Sequence, residues 1–342
     1  MSRPSPTLPP AVTASAGTNI ALVKYWGKRD VALNLPVTGS LSLTLAGLGT
    51  RTRVRFAADA GTPDGSDRVW LDGAPADPAF AERVSRFLNL VRQQAGISLP
   101  AEVKTENSVP TAAGLASSAS GFAALAAAAS RAAGLSLDPA ALGALARRGS
   151  GSAPRSLLGG FVEMAPGTRP DGTDAFATPL LPPEAWPVRL VVAKTAGGPK
   201  SIGSTAAMER TAHSSPYFAA WTQSVPADLA AARAAIAARD LAALGAVAER
   251  SALRMHASAF AAVPPIIYWE PATLAVMKAV AAWRAGTGPV GYFTMDAGPH
   301  VKVLCAAADA DRLAHTLAAV PGVLETLIAA PGPGVVVTEE AP

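Results

Sequence analysis

The chain has 342 residues, 50% of them hydrophobic and 16% charged, with a formal net charge of +4. That length suits two lobes around a cleft, and the apolar share excludes a disordered chain, because there is enough apolar surface to offset the entropy of ordering. The positive excess comes without a dense basic run or an interleaved aromatic platform, which argues for a small polyanionic ligand and against nucleic acid.

No apolar run reaches the roughly 18 residues of a membrane span. The opening MSRPSPTLPP lacks the apolar core of a secretory signal, so a cytoplasmic location with no membrane partner is expected. Cys305 is the single cysteine, which excludes an internal disulfide or a cysteine-based zinc cluster; within VKVLC it reads as a small apolar residue.

Residues 1–12 are proline-rich and read as a flexible tail, as do the last few residues from Glu339. From Asn19, short apolar stretches alternate with glycine and serine turns: NIALVKYW, SLSLTLAGL, RTRVRFAA and VWLDG predict strands. Phe80–Gln94 has apolar residues at helical spacing, Ala119–Ala133 is an alanine-rich helix after a small-residue loop, and Pro139–Arg148 suits another helix. The proline-rich TPLLPPEAWP marks a lobe boundary near residue 185, giving lobes over 13–185 and 186–337. The second half predicts a strand at VRLVVAK, long alanine-rich helices at Ala227–Ala262 and Thr273–Ala285, strands at GYFTMDAG and HVKVLCAA, a helix over Asp309–Val320 and a last strand, GVVVTEE. Strands and helices mix without a repeat, which reads as α+β.

The strongest local signal is PTAAGLASSASGFAALAAA, Pro110–Ala128. Gly114 lets the backbone approach a ligand closely, and the amides of Leu115, Ala116, Ser117 and Ser118 stand at the positive end of a helix, an anion cradle. The two serine hydroxyls add ligands for phosphate or for magnesium. A serine cap on an ordinary core helix is the plain alternative; the run of small residues before the helix favours phosphate. No lysine follows the glycine, so this is not a Walker A loop.

Taken with Pro110, this loop resembles the phosphate-binding motif of the GHMP kinase superfamily. Three further stretches, Asn19–Leu45, Arg147–Met164 (RRGSGSAPRSLLGGFVEM) and Phe293–Val303 (FTMDAGPHVKV), resemble the signatures of the diphosphomevalonate decarboxylase family, as does Met255–Trp269. Order and spacing agree, and the resemblance covers about residues 14–335. It implies a GHMP kinase fold, with an N-terminal ribosomal-protein-S5-like lobe and a C-terminal ferredoxin-like lobe around a deep cleft. It also implies ATP and Mg²⁺ as cofactors, diphosphomevalonate as substrate, isopentenyl diphosphate, ADP, phosphate and CO₂ as products, and a homodimer.

Asp296 follows the strand-like YFTM, where a loop presents a carboxylate to a cleft, although an Asp before Ala-Gly-Pro is by itself a common turn residue. The resemblance places it beside the C3 hydroxyl of the substrate. It places Arg155, in SGSAPRS, against the substrate carboxylate, with Ser150, Gly151, Ser152, Ala153 and Pro154 around it; a lone arginine there reads as a solvated charge. Tyr25, Trp26, Gly27 and Lys28 face the substrate phosphates or carboxylate by the same resemblance, and Arg83 the diphosphate. Ser204 and Thr211 are expected ligands in a covering loop over residues 199–215, a segment whose small residues equally suit a plain surface loop.

The chain departs from the family pattern at Pro154, where cysteine is usual, at Ala207 for glycine, at His213 for an acidic residue and at His300 for asparagine. Neither His300 nor His256 is given a catalytic role. The rival readings are a phosphomevalonate decarboxylase, a mevalonate-type kinase that does not decarboxylate, and an inactive binding protein on the same fold. Asp296, Arg155 and Lys28 together argue against a pure kinase.

Overall fold

The computed structural model describes residues 11–108, 117–198 and 201–339. Pro110, Gly114, Leu115 and Ala116, together with Pro199, lie outside the described residues. So do residues 1–10 of the expected tail; Ala11 and Val12, also expected there, are buried, and Val12 opens a strand.

The first half runs β1 (Val12–Val23), β2 (Lys28–Asp30), β3 (Leu35–Pro36), β4 (Ser40–Phe56), β5 (Arg68–Leu71), β6 (Ala74–Pro75), α1 (Pro78–Ala95), β7 (Ala101–Asn107), α2 (Ser117–Ala132), α3 (Pro139–Gly149), α4 (Ala153–Ser156), β8 (Phe161–Met164) and β9 (Ala177–Leu181). The second runs β10 (Val188–Lys194), α5 (Ser204–Ser214), α6 (Phe218–Ala238), α7 (Leu241–Phe260), α8 (Pro271–Ala285), β11 (Tyr292–Met295), β12 (Val301–Ala306), α9 (Ala310–Ala318), β13 (Glu325–Ala329) and β14 (Val336–Glu339).

The first sheet has the order β14-β1-β4-β7-β5-β6, with β8 and β9 branching from β4. SLSLTLAGL and RTRVRFAA, expected as two strands, are one strand of 17 residues, β4, whose ends serve different neighbours. Ser40–Leu43 pairs with β8 and Thr50–Phe56 with β7. Gly17 and Gly49 face each other across β1 and β4. A Cβ on Gly49 would collide with the Ala16 carbonyl, so the strands meet this closely because neither residue carries a side chain.

One face of this sheet is covered by α1 and α2. Asp77 caps α1 by accepting from the Phe80 amide, and Val84, Phe87, Leu88 and Val91 form its buried stripe at helical spacing. The alanines of α2 are buried all round, which lets that helix sit close against β1 and β4.

The second sheet has the order β11-β12-β10-β13 with every pairing antiparallel. Numbered by chain order within the lobe this is 2-3-1-4, the ferredoxin-like arrangement implied by the resemblance. One face carries α8 and α9, and the other packs against α6 and α7, whose core runs on into Ile20, Leu22, Trp26 and Leu43 of the first half.

Two sequence expectations change. The alanine-rich stretch Ala227–Ala262 is not one helix: Arg239 turns at φ 53° and Asp240 caps α7 through the Ala243 amide, dividing it into α6 and α7. The last strand, β14, returns to the first sheet, pairing with β1 from Val12 opposite Glu339 to Ser15 opposite Val336. Apart from β14, the strands of the first sheet all precede residue 185 and those of the second all follow it.

Candidate active site

A cleft of about 1070 Å³ opens between the halves, walled by the end of β1 and the turn after it, α1, the start of α2, the α3–α4 turn, α5, α7 and the loop after β11. Five basic side chains (Lys24, Lys28, Arg83, Arg148 and Arg155) and two acidic ones (Glu209 and Asp296) line it, so its field selects an anionic ligand.

Asp296 immediately follows β11 and is held by two lysines. Lys24 Nζ donates to its Oδ1 at 2.8 Å and to the Ala21 carbonyl at 2.6 Å; Lys302 Nζ lies 3.4 Å from its Oδ2. Burial pushes the Asp296 carboxyl up, but the two ammonium groups outweigh it and hold the group well below the usual carboxylate range. Burial has the opposite effect on Lys24, lowering it to about 8 against the pull of Asp296. The result is a fixed ion pair with an ionised carboxylate open to the cleft.

Arg155 is fully buried on α4, yet its hydrogen-bond partners among the described residues are neutral oxygens. Its Nε donates to Ser42 Oγ at 3.0 Å and Asn19 Oδ1 at 3.3 Å, and NH1 donates to Ser40 Oγ at 2.6 Å. Burial lowers its pKa to about 10, so it stays cationic at neutral pH. A buried guanidinium oriented by hydroxyls and an amide, but not neutralised, is arranged for a carboxylate from outside.

Two family descriptions match the sequence that builds this cleft: a diphosphomevalonate decarboxylase-like N-terminal domain over residues 16–177 and a mevalonate 5-diphosphate decarboxylase C-terminal domain over residues 190–327. The chain belongs to the diphosphomevalonate decarboxylase family. The Aspergillus fumigatus diphosphomevalonate decarboxylase is 37% identical over 325 residues, covering 91% of this chain and 80% of that protein. Among solved structures, mevalonate diphosphate decarboxylase from Staphylococcus aureus is 37% identical with a TM-score of 0.90, covering 96% of this chain and 98% of that one. A complex of MDDEF with MVAPP, AMPPCP and magnesium is 41% identical with a TM-score of 0.89, covering 96% and 99%. The enzyme from Enterococcus faecalis is 40% identical with a TM-score of 0.87 over the same shares.

Most of the residues singled out by the family motifs meet at this cleft. Trp26 is buried and Tyr25 half-buried on its wall, and neither the buried Tyr25 hydroxyl nor the Trp26 indole nitrogen has a hydrogen-bond partner among the described residues. Burial raises Tyr25 to about 12, so it remains a neutral donor. Gly27 makes the following turn at φ 103°. Lys28 Nζ donates to Thr205 Oγ1 at 3.1 Å; its pKa is lowered by burial against the pull of Glu209. Arg83 donates to the Gly149 carbonyl at 3.0 Å and lies 4.5 Å over the Phe122 ring. Ser150 Oγ is 3.2 Å from Ser152 Oγ and 3.5 Å from Ser118 Oγ, which brings the α3–α4 turn to the start of α2. Gly151 packs directly against the Tyr25 ring, and a Cβ there would collide with the hydroxyl.

The segment expected as a covering loop is in large part helix α5, which brings Ser204, Thr205, Met208 and Glu209 to the cleft. Thr211 is a correction: it is fully buried, it does not line the cleft, and its hydroxyl donates to the Ala207 carbonyl at 2.8 Å. Ala207 is buried inside the same helix, and His213 is exposed with Nδ1 2.8 Å from the Glu209 carbonyl.

The other departures from the family pattern leave the site whole. Ala153 and Pro154 are buried, and Pro154 stands in the first turn of α4, where the missing N–H would have had no helical partner. His300 Nδ1 accepts from the Thr195 amide at 3.1 Å, and burial lowers its pKa to about 4. His256 is buried among Phe260, Tyr268 and Trp269 and lowered by burial to about 3. Both are neutral imidazoles.

Sequence reasoning missed Lys24 and Lys302, the two groups that set the charge state of Asp296. Each is a single lysine inside an apolar stretch, IALVKYW or HVKVLC. That was the available signal: a charge in a strand buried on both faces needs a counter-charge.

Proposed function

We propose that the cleft carries out ATP-dependent decarboxylation of (R)-5-diphosphomevalonate to isopentenyl diphosphate, releasing ADP, phosphate and CO₂. The observation that carries this reading is the pairing of an ionised carboxylate, Asp296, with a buried arginine, Arg155, that has no anionic hydrogen-bond partner among the described residues, on one cleft wall. The family's relatives and the MDDEF complex with MVAPP, AMPPCP and magnesium support it.

ATP with Mg²⁺ supplies the phosphoryl group that makes the tertiary C3 hydroxyl a leaving group. The cleft fits them: it is strongly basic, and the Ser118 hydroxyl faces it at the start of α2. Among the described residues no group of three or more His, Cys, Asp or Glu could hold a metal, so Mg²⁺ would enter with ATP and would neutralise phosphate charge there. Ser118 is a candidate magnesium ligand; Ser117 begins the same helix, and the preceding Pro110, Gly114, Leu115 and Ala116 remain the proposed nucleotide loop.

Asp296 accepts the hydrogen bond of the C3 hydroxyl and orients it. Because Lys24 and Lys302 hold the carboxyl so far down, it has little proton affinity of its own, and it takes the proton only as the new phosphoester bond forms. Arg155 fixes the substrate carboxylate through paired hydrogen bonds. When the C3–O bond breaks and phosphate leaves, the C–C bond to that carboxylate gives its electrons to the new double bond and CO₂ departs. Lys28, Arg83, Tyr25, Ser150 and Ser152 bind the anionic end of the substrate. No helix among the described residues is long and apolar enough to cross a membrane. A cytoplasmic homodimer is the assembly we propose from the family.

ADP and CO₂ release from purified protein given ATP, Mg²⁺ and, in parallel, mevalonate, 5-phosphomevalonate or 5-diphosphomevalonate tests this. Equal release of both products from the diphosphate, lost in Asp296→Asn, is expected. ADP without CO₂ makes the protein a kinase, and activity confined to the monophosphate reassigns the substrate.

A further inference from the structure

Asp296 is flanked by two lysines from different strands, and they stand in different relations to the cleft. Lys24 lies on the cleft wall and is bonded to Oδ1. Lys302 is not on that wall. It projects from β12, between β10 and β11, is 1% exposed, and among the described residues its polar partners are the His300 carbonyl at 3.3 Å and Asp296 Oδ2 at 3.4 Å. Oδ2 is sealed from solvent and has no hydrogen-bond donor in good geometry among the described residues. The part of Asp296 open to the cleft, a quarter of its side chain, therefore excludes that oxygen.

Burying an ammonium costs several kcal/mol, and a chain keeps one in a strand core only where a partner offsets the cost. The charged partner of Lys302 is Asp296. We propose that Lys302 is a positioning residue for phosphoryl transfer: it draws Oδ2 inward, fixes the rotation of the carboxylate and keeps it ionised, so that Oδ1 is presented to the substrate hydroxyl. This rests on the reaction proposed above. Substrate never meets Lys302; its effect passes through Asp296.

The groups facing Asp296 are Lys24 after β1, Arg155 from α4, Lys302 from β12 and the neutral His256 from α7, while the neutral His300, in the loop before β12, sits beside Lys302 and Lys194. Neither histidine supplies charge near neutral pH. Without Lys302, Lys24 remains as the ammonium paired to the carboxylate, burial counts for more, and the Asp296 carboxyl moves upward. A protonated Asp296 no longer accepts the hydroxyl hydrogen bond, so the acid limb of the rate profile moves up with it.

The test compares wild type with Lys302→Met, Lys302→Gln and Lys302→Arg, following ADP and CO₂ release from 5-diphosphomevalonate from pH 9 down to pH 3, a window that reaches into the carboxylate range. Both neutral variants are expected to lose about 10- to 100-fold in kcat with KM changed less than about threefold, and to move the acid limb up by about one pH unit or more. Lys302→Arg, which keeps the charge, is expected to return the limb towards its wild-type position. Carbon-13 titration of the Asp296 carboxyl in ligand-free protein, assigned with Asp296→Asn, reads the same upward shift without turnover. A wild type that releases no CO₂ sinks the proposed reaction while the titration still decides the role of Lys302. The proposal is overturned if the carboxyl and the acid limb stay in place in the folded neutral variants, or if KM alone changes. A fall in melting temperature with both unmoved assigns Lys302 to structure only.

Discussion

Lys24 Nζ and Asp296 Oδ1 are 2.8 Å apart although 272 residues separate them in the chain, and this ion pair joins the end of β1 to the loop after β11 across the cleft. Burial lowers the Lys24 pKa to about 8 in spite of that partner. Below this pH the ammonium is present and Asp296 is paired; above it the cleft loses a positive charge and Asp296 its closest cation.

The free-enzyme profile of kcat/KM is therefore expected to fall above about pH 8, with a slope near one log unit per pH unit. The kcat limb lies at higher pH, because bound anions favour the charged lysine. Lys24→Met is expected to abolish this limb and to lower kcat by about 100-fold or more. A pH profile of the variant with an unchanged alkaline limb would assign that limb elsewhere. Stability moves in the opposite direction to activity: the folded pKa of Lys24 lies below the unfolded one, so the unfolded chain binds more protons between pH 8 and about 10, and the contribution of Lys24 to stability rises across that window.

Much of this molecule was legible as segments. The α1 stripe, the alanine-rich α2 and the β10–β12 strands follow from apolar spacing, and Tyr25, Arg83, Ser152, Arg155 and Asp296, from motifs far apart in the chain, line one cleft. What could not be read locally depends on partners far away in the chain. Lys24 and Lys302 look like stray charges until Asp296 is placed between them. GVVVTEE reads as a strand, but which sheet it joins is decided by hydrogen bonds to residues 12–15. Thr211 looks like a ligand in a small-residue loop, and it is buried because the same residues form a helix whose far side carries it.

Arg155 is oriented by Ser40, Ser42 and Asn19 without being neutralised. Arg155→Lys keeps a charge but loses the planar fork, and is expected to lower kcat/KM by about 100-fold or more through misplacement of the substrate carboxylate. Ser40→Ala leaves NH1 without its closest acceptor and is expected to destabilise the protein by about 1–3 kcal/mol while raising KM more than it lowers kcat. Steady-state kinetics with chemical denaturation separates these effects.

Pro154 occupies a position in α4 that needs no backbone donor. Pro154→Cys, which restores the usual family residue, is expected to leave kcat/KM within about twofold and to lower stability by about 0.4–1 kcal/mol, because the unfolded chain regains freedom. A tenfold change in KM for the diphosphate would show that the proline shapes the substrate pocket as well as the turn.

Tyr25 separates the demands of folding from those of binding. Its hydroxyl is buried, uncharged and without a hydrogen-bond partner among the described residues, while its ring packs on Gly151 beside Ser150 and Ser152. An unsatisfied buried hydroxyl costs about 1–3 kcal/mol, so Tyr25→Phe is expected to leave the ligand-free protein as stable or more stable. If the hydroxyl is kept for the anionic end of the substrate, the same variant raises KM for 5-diphosphomevalonate by about tenfold, the equivalent of one lost hydrogen bond to a charged group, with kcat nearly unchanged. Thermal unfolding with and without substrate measures both sides, since the substrate-induced rise in melting temperature is expected to shrink in the variant. A variant that is less stable when ligand-free, with the substrate-induced rise intact, would instead place the hydroxyl in the fold and remove Tyr25 from the binding residues.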